Sequence, residues 1–226
     1  MSAATNTGMQ KAGGIASLLI AASYVFGFGL FFGFFEYAGY DGPAGNMAFM
    51  IDHQSLLSLA MITLYIIPGC LLVVLGIALH HRLAVAAGPI MQITTSFALV
   101  WAAIVIASGM IGLTGMQTIA GIADVFPSEA ASAWIAISVI QDALGGGTEL
   151  VGGIWVLMIG WLGLRTGQLP RFLSWFSLFV GITGLMTVIP GLTDLVDVFG
   201  LSQIVWYCWL GVIIIRLPDV EQPRAG

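Results

Sequence analysis

The stretch GGIWVLMIGWLGLRTGQLPRFLSWFSLFVGITGL, residues 152–185, is two apolar runs joined by the basic turn RTGQLPR. Gly167 is suited to close the first helix and Pro170 to open the second. Glycine tolerates the left-handed angles of a helix end, and proline lacks only an N–H that a first turn leaves unused. Arg165 and Arg171 flank the turn as anchors among anionic headgroups. A connection this short makes the two runs antiparallel neighbours. The reading is a membrane hairpin.

A second short connection, HHRLAVAAG at 80–88, carries a third headgroup anchor, Arg82. Working outward from these turns, six stretches supply the roughly 20 mostly apolar residues that cross about 30 Å of hydrocarbon. They are 12–35, 54–79, 89–112, 145–164, 172–190 and 199–215. All are expected to be helices, since an isolated strand would leave its backbone polar groups unpaired in lipid. In this threading the six basic residues, Lys11, Arg82, Arg165, Arg171, Arg216 and Arg224, share one side, and nine of the eleven acids lie on the other. Positive charge is retained on the cytoplasmic face, so both termini are expected inside. The inner side then carries +4 and the outer side −9, which argues against nucleic acid as a partner.

Composition points the same way. With 59% apolar and 8% charged residues and a mean hydropathy of +1.02, the main solvent of this chain is lipid. The expectation is an all-α, polytopic helix bundle, one transmembrane domain over 1–226, in a cytoplasmic membrane. The run at 12–35 exceeds a signal-peptide core of about 7–15 residues and reads as a retained span. Cys70 and Cys208 sit mid-run as small hydrophobes, with no disulfide framework implied.

A single helix over 131–164 would run about 50 Å, too long for the bilayer. A break is therefore expected. Ser128 is the expected N-cap of an outer interfacial helix with Trp134 and Ile137 on its apolar face, and Gly145, Gly146 and Gly147 are the expected turn into the fourth span. The repeated Ile-Pro-Gly at 67–69 and 189–191 does not make a duplication, because Pro68 lies mid-span and Pro190 at an outer end.

The hairpin at 152–185 also carries a resemblance. Gly160, Arg165, Gly167, Leu169, Pro170 and Arg171, with their Arg-x-Gly-x-Leu-Pro-Arg turn, resemble the fourth and fifth spans of a bacterial family of small six-span membrane proteins of unknown function. Elsewhere the likeness rests on span count and a Gly-rich first helix. The resemblance implies a fold and a location, and brings no activity or catalytic residue.

An ionisable side chain in hydrocarbon is costly unless paired or watered, so acids near the membrane are the first functional candidates. Glu149 stands about one turn inside the outer end of the fourth span, and Asp142 would share its face if the helix continued. Two such acids are able to share a proton or a cation. Asp52 and His53 at the outer start of the second span, with Glu36 on another outer end, make a second candidate cluster. Met47 and Met50 nearby would suit a transition metal, but Asp52 at a helix N-terminus and methionines in lipid account for the same residues, and no metal site is predicted. No cofactor is predicted either. His53 and His80 end the same span about 40 Å apart, which denies a haem two ligands at one depth. Neither a Gly-x-Ser-x-Gly turn nor His-Glu-x-x-His spacing occurs, and the chain is not expected to be an enzyme.

Pro68 is expected to kink the second span. Gly27, Gly29, Gly33, Gly109, Gly112, Gly152, Gly153, Gly160, Gly181 and Gly184 are expected to let helices approach, and Trp155, Trp161, Trp175, Trp206 and Trp209 to anchor at the interface. The expected function is a noncatalytic binding or accessory subunit of a membrane assembly, with the bilayer and other membrane proteins as partners. The alternative is a small transporter or ion-coupled carrier that uses the outer acids.

Overall fold

In a computed structural model, which describes residues 3–34, 39–146 and 149–218, every regular element is a helix. They are α1 (Ala3–Phe34), α2 (Gly42–Asp52), α3 (Gln54–Met61), α4 (Ile67–Ala87), α5 (Ile90–Ile122), α6 (Pro127–Gln141), α7 (Leu150–Thr166), α8 (Arg171–Met186) and α9 (Leu195–Arg216). A π turn at Ile62–Ile66 fuses α3 to α4, and another at Asp142–Gly146 follows α6. Four stretches are long and apolar enough to cross a membrane: Gly8–Phe31, Gln54–Ala87, Ile90–Ile122 and Leu195–Arg216. The shorter α7 and α8 are also apolar.

Six helices, α1, α4, α5, α7, α8 and α9, form a ring in which each packs on the next and α9 closes on α1. The ring turns polar groups inward. Ser17, Thr94, Ser108, Ser174, Ser177 and Gln203 are buried, whereas Val25, Ile93, Val100, Phe172, Trp175 and Val205 are exposed. Apolar side chains spread over so much of the outside suit lipid rather than water. Ser17 Oγ on α1 donates to the Tyr207 carbonyl on α9 (2.7 Å), and Trp206 Nε1 on α9 donates to Ser177 Oγ on α8 (2.7 Å). Hydrogen bonds between helices, together with close backbone approach, replace the hydrophobic drive that lipid removes.

The hairpin of α7 and α8 is the tightest junction. A Cβ on Gly181 would lie 2.6 Å from the Leu157 nitrogen, and one on Gly153 would lie 2.9 Å from the Gly181 carbonyl oxygen. Gly29 and Gly33 have nothing within 4 Å of such a Cβ, so they do not serve the packing expected of them. At the turn, Gly167 adopts φ 68° and ψ 8° and its N–H reaches the Gly163 carbonyl (3.0 Å), and α8 starts directly after Pro170.

Several boundaries differ from the sequence reading. The stretch 80–88 is helical up to Ala87, because nothing before Gly88-Pro89 breaks a helix. α5 runs ten residues past the expected end at 112, held by Met116 and Ile119, which pack with Met47, Met50 and Ala130 in a second core at the far end of the ring. α6 starts with Pro127 in its first turn and Phe126, not Ser128, at the N-cap position. α7 begins at Leu150 rather than 145. Trp155 and Trp206, expected as interface anchors, are fully buried in the main core, whereas Trp161, Trp175 and Trp209 are exposed.

Arg82 is also placed differently. Its guanidinium is buried at one end of the ring, where Nη1 donates to Gln10 Oε1 (2.9 Å) and the Pro218 carbonyl (3.2 Å) and Nη2 reaches the Gln168 carbonyl (3.5 Å). Gln10 Nε2 in turn donates to the carbonyls of Ile214 (2.9 Å) and Leu217 (2.7 Å). One side chain therefore ties the start of α1, the α7–α8 turn and the segment after α9. It occupies protein acceptors rather than headgroups, because the extra helical turns of α4 carry it inside the bundle. Arg165 and Arg171 remain exposed, with the Arg165 guanidinium 5.3 Å above the Trp161 ring.

Candidate functional site

A cavity of about 350 Å³ opens between α1, the π turn before α4, α5, the N-terminus of α7 and the first turns of α9. The α3–α4 rod reaches it through an irregularity that Pro68 explains. Within the π turn the Ile67 N–H bonds the Ile62 carbonyl, so residue 68 would serve the carbonyl of Thr63, but proline has no N–H to give. Ser23 Oγ on α1 supplies the missing donor to that carbonyl. The widened turn presents Leu64 and Tyr65 to the cavity, a common placement for π turns. Gly27 makes room, since a Cβ there would meet Leu64 at 2.3 Å.

Glu149 lies just before α7 and is fixed by its backbone. Its N–H donates to Thr187 Oγ1 at the end of α8 (2.9 Å), and its carbonyl receives the Gly153 N–H (2.8 Å). Glu149 lines the cavity, where Trp101 on α5 packs against the start of α7. Gly152 permits that contact, because a Cβ there would lie 2.6 Å from the Trp101 ring. Beneath the cavity the rings of Trp101, Trp155 and Trp206 follow one another at 5.7 and 5.6 Å.

Gln203 on α9 faces the same cavity and is 2% exposed. Neither its Oε1 nor its Nε2 has a hydrogen-bond partner among the described residues. Leaving a buried polar group unpaired costs roughly 1–3 kcal/mol, so a partner that reached this amide would be favoured by about that much. The aromatic residues Tyr24, Phe28, Tyr65, Trp101 and Phe199 make up much of the remaining wall, and Asp197 stands exposed at its edge.

The other candidates lie apart. Asp142 is exposed in the second π turn and does not line the cavity, so the chain between α6 and α7 does not stack it with Glu149. Partial burial raises its carboxyl above the usual range. Asp52 accepts a hydrogen bond from the Tyr40 hydroxyl (2.9 Å), which raises the Tyr40 phenol. His53 joins α2 to α3, stacked on Phe49 at 4.5 Å with Nδ1 3.0 Å from the Phe49 carbonyl. Glu36 lies outside the described residues. Among the described residues, no three His, Cys, Asp or Glu side chains gather as a metal ion would require.

All the cavity residues, from Tyr24 to Gln203, fall within residues 12–215, which match a family model described as a domain of unknown function, DUF4386. The chain belongs to the DUF4386 family. No curated protein and no solved structure matches it. The DUF4386 match runs from within α1 into α9, and it carries no activity to the site. Sequence reasoning reached Glu149 and missed Gln203, Trp101 and Tyr24. An uncharged amide or an aromatic ring in an apolar run has no local signature, and only the closure of α9 on α1 reveals its neighbours.

Proposed function

We propose that this DUF4386 protein is a six-span protein of the bacterial cytoplasmic membrane, with both termini inside, that binds a small molecule from the outer side without transforming it. The four long apolar helices and the two shorter ones support six crossings. The joining of residues 10, 82, 168 and 218 at one end supports a common inner face. From Arg216 up to Gln203, and from Arg165 up to Glu149, α9 and α7 rise about 20 and 24 Å, which sets the cavity in the outer half of a hydrocarbon layer about 30 Å thick.

The observation that carries the reading is that the unpaired Gln203 amide and Glu149 line one mainly apolar pocket. Convergent polar groups in a mainly apolar hollow are the usual form of a small-molecule site. Binding is favoured over transport because Leu75, Leu79, Trp155, Trp206 and Leu210, all fully buried, fill the ring toward the basic end. Such a protein would act as a binding or accessory subunit among other membrane proteins. The π turn and Pro68 at the cavity wall favour a second reading, a carrier whose rod flexes there.

One experiment separates these. With Cys70 and Cys208 replaced by alanine, Gly200→Cys should react with a membrane-impermeant thiol reagent added outside cells and stay unlabelled in inside-out vesicles. Labelling from both sides would support the carrier. Labelling from the inside alone would overturn both the orientation and the site.

A further inference from the structure

We infer that the ligand of this cavity is a small organic ammonium ion with an aromatic or branched apolar body and a second polar group, such as a hydroxyl, beside the nitrogen. The inference rests on the binding role proposed above and adds the chemistry of the occupant. Glu149 is an acceptor whose backbone is fixed by Thr187, and Asp197 adds a second carboxylate at the edge. Among the described residues, no lysine, arginine or histidine lines the pocket. An anion would therefore meet one sign of charge only, and a cation is drawn in by it. Tyr24, Tyr65 and Trp101 place aromatic rings in the wall, and ring faces attract an alkylammonium most strongly when water is excluded. An inorganic ion or a cluster of waters would leave those faces unused.

Gln203 decides the second group. Its Oε1 accepts and its Nε2 donates, and both are unpaired. An ammonium satisfies the oxygen, but only an acceptor on the ligand satisfies the nitrogen. A vicinal amino alcohol supplies both on adjacent atoms.

The test uses the purified full chain in nanodiscs and follows tryptophan fluorescence with four probes: 2-amino-1-phenylethanol, phenethylamine (an ammonium at neutral pH), 2-phenylethanol and phenylacetate. The amino alcohol should bind most tightly, the simple amine next, the neutral alcohol at least about tenfold more weakly, and phenylacetate weakest. Glu149→Gln should remove the advantage of the amines over the neutral alcohol, and Gln203→Leu should remove the advantage of the amino alcohol over the amine. Thermal melting of each variant reports its fold. If Glu149→Gln does not fold, the ranking of the four probes and Gln203→Leu decide. Equal binding of alcohol and amines, or a ranking that survives both substitutions, would overturn the ammonium assignment and leave the cavity as a binding site. Binding that persists undiminished when Gly200→Trp fills the cavity, or the absence of saturable binding by all four probes, would overturn the site itself.

Discussion

At the scale of single residues, the site depends on side chains that hold Glu149 without themselves facing a ligand. Thr187 does this with one oxygen. Its Oγ1 accepts the Glu149 N–H and donates to the Gly184 carbonyl at 2.7 Å, which couples the start of α7 to the end of α8. Thr187→Val keeps the shape and removes both bonds, leaving a buried N–H unpaired at a cost of about 1–3 kcal/mol. Denaturation in detergent should show that loss, and titration with 2-amino-1-phenylethanol should show weaker binding than in the parent. Unchanged affinity would mean that Glu149 is positioned by other contacts. Glu149 was legible in the sequence because an acid in an apolar run stands out. Gln203 was not, because an amide near the middle of α9 is acceptable wherever it finds a partner, and its lack of one is a property of the assembled ring.

At the scale of elements, the α3–α4 rod shows what proline does inside a long helix. The expected kink at Pro68 takes the form of a π turn whose orphaned Thr63 carbonyl is answered from the neighbouring helix. The two residues should therefore be coupled. Ser23→Ala alone should cost about 1–3 kcal/mol, since a buried carbonyl loses its donor. In a Pro68→Ala background the restored N–H takes over and the cost of Ser23→Ala should fall by about 1 kcal/mol. A double-mutant cycle measured by thermal unfolding checks this, and additive effects would show that Ser23 does not compensate for Pro68. The α7–α8 hairpin was readable in advance because Gly167 and Pro170 mark its ends chemically. The true ends of α4 and α5 were not, since HHRLAVAA contains no breaker and α5 runs on through Gly115 and Gly121, so their extent is decided by packing against other helices.

At the scale of the whole molecule, charge and closure meet in Arg82. The sequence groups this residue with the other bases but treats it as a surface anchor, and burial among acceptors from three distant segments is invisible to a linear reading. Its removal should be felt throughout the ring. Arg82→Met should destabilise the protein by at least about 2 kcal/mol, since hydrogen bonds from a charged donor are lost together. Arg165→Met, which loses an exposed contact with Trp161, should cost less than about 1 kcal/mol. Unfolding midpoints for the two variants test the contrast, and equal losses would remove Arg82 from the centre of the architecture. The closed ring also has a consequence for biogenesis. Ser17 waits for a carbonyl 190 residues downstream, which at about 5–20 residues per second is roughly 10–40 s of synthesis. During that interval the interior flank of the first helix has polar atoms and bare glycines turned toward lipid. Shielding of that flank at the insertion site is the expected consequence, until the last helix arrives to complete the circle.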